Sequence, residues 1–151
     1  IKELFQLAKP REVSLVSGDP NELVERVVSL MSPRARLKVI DMEVFPAPDK
    51  KEIFLDFELV EQVLMNLVIN AIDSINGPGG KITVKSYYFG ETFNIEVSDS
   101  GSGIPPGYLE KIFEAFYSTK KAGTGLGLAI SRRIIDAHKG TISVESSQGK
   151  G

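Results

Sequence analysis

Asn66, Asn70 and Asp73 stand four and three residues apart in a run that is otherwise largely apolar. That spacing places them on one face of an α-helix. Gln62 and Glu58 extend the stripe, while Val63, Leu64, Leu67, Ala71 and Ile75 lie toward the opposite side. For any one of these residues a solvated polar stripe is the simpler explanation. Exposed helix faces, however, usually carry Lys, Glu or Arg. Asn is a poorer helix former because its amide competes with the backbone for hydrogen bonds. Amide and carboxylate oxygens are hard ligands that suit Mg²⁺, an ion that keeps waters and phosphates in its shell.

A second constellation is Asp99-Ser100-Gly101-Ser102-Gly103-Ile104-Pro105. Phe93, Ile95 and Val97 alternate toward one face of a strand, and Asp99 is next in that alternation. A carboxylate thus arrives where an apolar side chain is due, and a buried carboxylate needs donors. The exocyclic amine of a purine is one such donor. Gly101 and Gly103 let the backbone turn tightly and approach a flat ligand. Taken alone, the segment reads equally well as a strand-ending turn. Next comes Phe113-Glu114-Ala115-Phe116-Tyr117, followed by Ser118-Thr119-Lys120-Lys121. The aromatics read most simply as core and the lysines as solvated. The sharper reading makes the segment the base of a lid, with Lys120 in reach of a phosphate.

The fourth constellation is Gly123-Thr124-Gly125-Leu126-Gly127-Leu128, directly before an amphipathic stretch. A glycine-rich turn feeding a helix N-terminus exposes backbone N–H groups, and the helix dipole favours an anion there. A polyphosphate fits. The pattern is not a dinucleotide fingerprint, because the third glycine comes one residue early and no strand precedes it. The chain has no Gly-x-x-x-x-Gly-Lys-Ser/Thr loop and no His-Arg-Asp or Asp-Phe-Gly motif. A P-loop and a protein kinase of the Ser/Thr/Tyr type are thereby excluded.

The elements that must position these groups follow from periodicity and punctuation. Residues 1–9 carry apolar side chains at helical spacing and stop at Pro10. Residues 13–16 suggest a strand. Asp19-Pro20-Asn21-Glu22 is a helix start, and that helix is expected to run to about Met31. Residues 36–45 read as a strand, 46–49 as a loop and Ile53–Leu55 as a short strand. Asp56 caps a long helix over 57–75, which Asn76-Gly77-Pro78-Gly79-Gly80 closes. Strands are expected at Lys81–Phe89 and 92–98 around a Gly90-Glu91 turn. A short helix at 109–116, a helix at 125–137 ended by Gly140, and a final strand at 141–145 complete the pattern. This order implies an α+β fold: a two-layer α/β sandwich with helices on one face of a mostly antiparallel mixed sheet, and a short lid.

Composition narrows the function. With 151 residues, 42% of them hydrophobic and 25% charged, the chain suits one domain with one real core. A net charge of −2 gives no general attraction to nucleic acid or anionic lipid. No cysteine is present, so disulfides, cysteine nucleophiles and thiolate metal sites are out. No apolar run approaches the ~18 residues of a membrane helix. A cytoplasmic site of action is expected, with no direct membrane contact, whether the parent protein is soluble or membrane-anchored. The first residue is Ile1 rather than Met, so the chain reads as a piece of a longer protein.

The order of the four constellations resembles the N, G1, F and G2 boxes of sensor histidine kinases. These belong to a superfamily shared with the gyrase, heat-shock chaperone and mismatch-repair ATPases. The similarity runs from about Asp56 to the C-terminus, and more loosely from Val13. Asn66-Leu67-Val68-Ile69-Asn70-Ala71 and the stretch 123–128 carry it most closely. The resemblance implies an ATP-binding catalytic domain at 13–151, with 1–12 as a linker or the tail of a preceding dimerisation helix. It implies ATP, with ADP as product, and Mg²⁺. Asn70 matches the Mg²⁺ ligand, with Asn66 beside it at the metal or a phosphate. Asp99 matches the acceptor of the adenine amino group. Gly101 and Gly103 pass beneath the base, and Ile104 and Ile112 line its pocket. Gly123, Thr124, Gly125, Leu126, Gly127 and Leu128 form the phosphate loop, and Lys120 belongs to the lid.

Departures from the family pattern also inform. Gyrase-like and chaperone-like members have a water-activating Glu four residues before the metal-binding Asn, and here that position is Asn66. A neutral amide is a poor general base, so little ATP hydrolysis is expected. Asp73 stands where many histidine kinases have Lys. The chain ends at Gly149-Lys150-Gly151, where the family continues into a last strand, so that strand is expected to be missing. The one histidine, His138, lies at a helix C-terminus, a favourable place for a partly charged imidazole, and is not the phosphorylated residue of the family. The phosphoacceptor is expected upstream, on a dimerisation hairpin that would be the direct partner and would lead to a response regulator. The isolated domain is expected to be a monomer. Two rivals share the pocket: a nucleotide-gated sensor module without kinase activity, and a serine kinase of anti-sigma type.

Overall fold

A computed structural model describes residues 2–4, 12–120 and 123–151 of the chain. The expected linker at 1–12 therefore lies largely outside the described residues, as do Lys121 and Ala122 of the expected lid.

Two aspartates start the two long helices. Asp19 accepts the Asn21 N–H at 2.9 Å and opens helix α1, Pro20–Leu37. Asp56 accepts the Leu59 N–H at 3.1 Å and opens helix α2, Phe57–Ser74. Each supplies an acceptor to a backbone donor that has no partner within its helix. Strand β1, Val16–Gly18, pairs antiparallel with β3, Ile53–Leu55. Strand β2, Asp41–Phe45, pairs parallel with β4, Lys81–Phe89, which pairs antiparallel with β5, Thr92–Asp99. The order is β2-β4-β5 in one sheet and β1-β3 in the other. The fold is thus the expected α+β arrangement with mixed pairing, its strands divided between two sheets. Among the described residues, no helix is long and apolar enough to cross a membrane.

One core lies between α1, α2 and the larger sheet, where Val24, Val27, Leu64, Val68, Ile72 and Ile82 are almost wholly buried. A second cluster joins α2 to helix α3, Gly127–Ala137, through Leu59, Val63, Leu126, Ile130 and Ile134. Helix α2 is therefore buried on two sides, and its Asn-bearing stripe emerges between them. A buried polar node ties the loop after β2 to α1. The Asn21 amide donates to Ala47 O at 3.0 Å, and its oxygen accepts the Ser86 hydroxyl at 2.8 Å.

Several sequence-based boundaries shift. Helix α1 continues past Met31 and through Pro33 to Leu37. Met31 and Ala35 extend its buried face, while Pro33 sits on the exposed side, where water can serve the carbonyl that loses its N–H partner. The strand expected at 36–45 is consequently only Asp41–Phe45. Val39, at φ 57°, and the Ile40 N–H bonded to Ala35 O form the turn between. The strand expected at 13–16 forms instead at Val16–Gly18, overlapping it only at Val16. The helix expected at 109–116 is replaced by a 3₁₀ turn, Pro106–Tyr108, and a run of short turns that ends at Phe116 with φ 66°. The helix expected from Gly125 begins at Gly127, because Gly125 has φ 69°. Residues 141–145 alternate between exposed and half-buried as a strand would, but no backbone ladder joins them to β5.

His138 lies at the C-terminus of α3, as read from the sequence, and makes a contact across the fold as well. Its Nδ1 lies 2.7 Å from Ile134 O, and its Nε2 accepts the Asp56 N–H at 3.1 Å. Accepting that bond requires a lone pair on Nε2, so the proton sits on Nδ1. The side chain couples the end of α3 to the start of α2.

Candidate functional site

The C-terminal turn of α2 meets the loop that follows β5. Asp99 lies on the inward face of β5, opposite Ile82 of β4, as the alternation of Phe93, Ile95 and Val97 predicts. Its Oδ1 accepts the Gly101 N–H at 2.8 Å and lies 2.7 Å from the Ser74 hydroxyl. Ser74 O in turn accepts the Ser102 N–H at 3.2 Å. A side chain on Gly101 would collide with Ser74 Oγ and Asp99 Oδ1, so the close approach requires glycine. Gly103 has φ 69°, and its neighbour Ile104 donates its N–H to Ser146 Oγ at 2.7 Å. Residues 146–151 brace this loop, with the Gly149 N–H on Ser102 O at 2.7 Å. Ile112 is buried, and Ile104 is half-buried.

Two turns toward the N-terminus of α2, Asn66 meets the start of α3. Its amide donates to Ser131 Oγ at 3.1 Å, and Gly127 packs so closely against it that a Cβ there would strike Asn66 Oδ1. The amide orientation follows from this hydrogen bond. Helix α3 has no side-chain cap, so its first-turn N–H groups are not satisfied by one. Gly125 packs on the backbone of Phe116 and Tyr117, and Gly123 packs against Ser118. Thr124 Oγ1 lies 3.4 Å from the Leu126 N–H. Leu126 is buried in the α2–α3 cluster, so what it offers a ligand is backbone; Leu128 is half-buried. Arg132 of α3 stacks over the Phe113 ring at 5.4 Å, joining this helix to the aromatic segment.

Between these ends stand Asn70 and Asp73. The Asn70 side chain is half-buried and makes no hydrogen bond to a described residue. Asp73 is shared by two cations, Arg34 at 3.3 Å and Lys120 at 3.4 Å, all partly exposed. Lys120 is thereby drawn toward α2. The structure brings together the N-box asparagines, the Asp99 loop, Lys120 and the glycine loop along a single helix face. From Asn66 to Ser74 is two turns, about 12 Å at 1.5 Å per residue.

The residues present can be tested against Mg²⁺. Among the described residues, no cluster of three His, Cys, Asp or Glu side chains could hold a metal. The Asn66 amide nitrogen is committed to Ser131, which leaves Asn66 Oδ1 and the whole Asn70 amide without a hydrogen-bond partner among the described residues. A protein offering one or two amide oxygens fits Mg²⁺, whose other positions go to phosphates and water. It does not fit a cage built wholly from protein.

Three contributors were not apparent from local sequence pattern. Ser74 and Ser131 hold Asp99 and Asn66, and Lys38 Nζ caps α2 by donating to Ile72 O at 2.7 Å and Ile75 O at 2.6 Å. A cation at a helix C-terminus is the expected chemistry, but its partner lies more than thirty residues away. No periodicity could announce it.

Comparison with known proteins accords with this geometry. Residues 55–151 match the model of the histidine kinase-, DNA gyrase B- and HSP90-like ATPases. The sensor histidine kinase ZraS of Escherichia coli O157:H7 is 40% identical over the whole chain, which spans 33% of that protein. The catalytic domain of the histidine kinase ThkA superposes with a TM-score of 0.80 at 36% identity, covering 90% of each chain. ThkA has also been solved in complex with the response regulator protein TrrA, with a TM-score of 0.78 at 33% identity, covering 92% of this chain and 40% of that one. Full-length ShkA in complex with AMPPNP gives a TM-score of 0.87 at 30% identity, over 99% of this chain and 32% of that one. The chain thus spans about a third of the length of the curated sensor kinase it matches.

Proposed function

Because the chain belongs to the histidine kinase-, DNA gyrase B- and HSP90-like ATPase family, and is an ATP-binding domain of the histidine kinase type, we propose that it presents the γ-phosphate of Mg²⁺-bound ATP to a histidine on a separate dimerisation domain. The single observation that carries this reading is the layout of α2. Asp99, the proposed acceptor for the adenine amine, is held at its C-terminal end by Ser74, the glycine loop meets Asn66 two turns away, and Asn70, which bonds no described residue, lies between.

Asp99 accepts the 6-amino group, and Gly101 and Gly103 leave room for the base. The first-turn N–H groups of α3 and the backbone of 123–127 receive phosphate oxygens. Asn70 would hold Mg²⁺, which supplies charge neutralisation at the β- and γ-phosphates. Lys120 moves from Asp73 to the phosphates, exchanging one anionic partner for another. Asn66 holds the two helices in register and carries no carboxylate to activate water. The arrangement therefore suits transfer to an imidazole better than hydrolysis. Catalysis is positioning and electrostatics. The phosphoacceptor hairpin and, through it, a response regulator are the proposed partners, and the complex of ThkA with TrrA supports that class of partner.

Calorimetric titration tests the pocket. ATP and ADP are expected to bind the 151-residue chain, GTP at least about tenfold more weakly because its 6-oxo group meets a carboxylate. ATP affinity is expected to fall when EDTA removes Mg²⁺. Equal affinity for GTP would overturn the adenine assignment.

A further inference from the structure

We infer that Ser74 is a positioning residue for base selection, acting through Asp99. The inference rests on the reading of Asp99 as the acceptor of the adenine amine. Ser74 is the last residue of α2, and its Oγ lies 2.7 Å from both Ala71 O and Asp99 Oδ1. A hydroxyl has one proton, so it can donate fully to only one of them at a time. Oδ1 of Asp99 also receives the Gly101 N–H at 2.8 Å. Two donors thus converge on one carboxylate oxygen. The other oxygen has no partner among the described residues and is left for the ligand.

That asymmetry fixes the plane of the carboxylate. With Gly101 as its only donor, Asp99 can rotate about its side-chain bonds and exchange its oxygens. With the Ser74 hydroxyl on the same oxygen, that rotation breaks a hydrogen bond to a charged group. Ser74 is itself held. Its carbonyl accepts the Ser102 N–H, and the Lys38 ammonium binds the carbonyls of Ile72 and Ile75 on either side of it. Gly101 packs against its hydroxyl with no room for a Cβ. Lys38 and Ser74 therefore transmit the position of the α2 terminus to the base acceptor. No other described side chain touches Oδ1 of Asp99.

The consequence is specific to nucleotides that carry a 6-amino group. The test compares ATP with purine riboside triphosphate, which lacks that amine, by calorimetry on the wild type, Ser74→Ala, Ser74→Thr and Asp99→Asn. Ser74→Ala is expected to lose about tenfold in ATP affinity. Its affinity for the deaminated analogue should stay within about twofold, so its preference for ATP collapses. Ser74→Thr keeps the hydroxyl and should retain most of the preference. Thermal unfolding of each variant without nucleotide checks that the fold is intact. Equal weakening of both nucleotides in Ser74→Ala, or full retention of the wild-type preference, overturns the role of Ser74. A wild type that does not distinguish the two nucleotides, with Asp99→Asn unchanged from it, removes the Asp99 reading and the Ser74 role together.

Discussion

Asp99→Ala is expected to lower ATP affinity by about a hundredfold or more, the cost of losing a hydrogen bond to a charged group in a site built to receive an amine. The substitution acts twice. It deletes the acceptor for the base, and it leaves the Gly101 N–H and the Ser74 hydroxyl without the oxygen on which they converge. The loop of 99–103 then has only the Ser102 N–H on Ser74 O and the brace from residues 146–151 to hold it. Affinity for inorganic triphosphate, which makes no base contact, should change by less than about threefold if the two ends of the site act independently. Calorimetry on the variant with ATP and with triphosphate reads both numbers. ATP affinity within about twofold of the wild type would mean that the adenine lies elsewhere.

The second large effect is expected at Asn70. Its side chain makes no hydrogen bond to a described residue, so Asn70→Ala removes no hydrogen bond seen among the described residues. Stability should change by no more than about 0.5 kcal/mol. Binding should change in one particular way. In excess Mg²⁺ the variant should bind ATP only as well as the wild type does in EDTA, and phosphate transfer should fall by about a hundredfold or more. Asn70→Asp keeps an oxygen but brings a negative charge beside the phosphates, and should not restore the wild-type affinity. A variant whose ATP binding keeps its full response to Mg²⁺ would show that the ion is held by other groups. Asn66→Ala is the informative contrast. Its amide binds Ser131 and packs against Gly127, so its loss should disturb the seating of α3 as well as the nucleotide.

These two residues illustrate what the sequence could and could not convey. The 3.6-residue period placed Asn66, Asn70 and Asp73 on one face, and the two-residue period placed Asp99 inward. Both are local rules, and both hold because each element has a buried side that sets its rotation. The caps at Asp19 and Asp56 were legible for the same reason, since a cap bonds to a backbone group two or three residues away. What failed depended on distant contacts. Pro33 would end an isolated helix, but Met31 and Ala35 gain enough from burial to carry α1 past it. The strand expected at 36–40 gave way to that extension. The segment 109–116 has helical spacing, yet it folds as consecutive turns closing at Phe116, on whose backbone Gly125 packs.

The site shows the same division. Motif residues announce themselves by type, whereas the residues that hold them do not. Ser74 reaches Asp99 across 25 positions, Asn66 reaches Ser131 across 65, and His138 reaches Asp56 across 82. Serine at the end of a helix is ordinary, and only the fold gives it a partner. Asp73 is a mixed case. Its departure from the family pattern was visible, and its pairing with Arg34 and Lys120 supplies a reason: a carboxylate here receives Lys120, where a lysine would repel it. Exposed pairs of this kind contribute little to stability, so the pairing bears on where Lys120 rests and not on the fold.

The most direct test of the central claim is transfer of phosphate to a histidine in trans. The chain is mixed with γ-labelled ATP, Mg²⁺ and the separately prepared dimerisation hairpin of ZraS, which is first shown to be phosphorylated by the catalytic domain of ZraS itself. The account predicts labelled hairpin whose phosphate is lost in acid and retained in base, no label on a hairpin whose acceptor histidine is replaced, and no transfer from Asn70→Ala. A wild-type chain that binds ATP yet leaves this competent hairpin unlabelled would contradict the account.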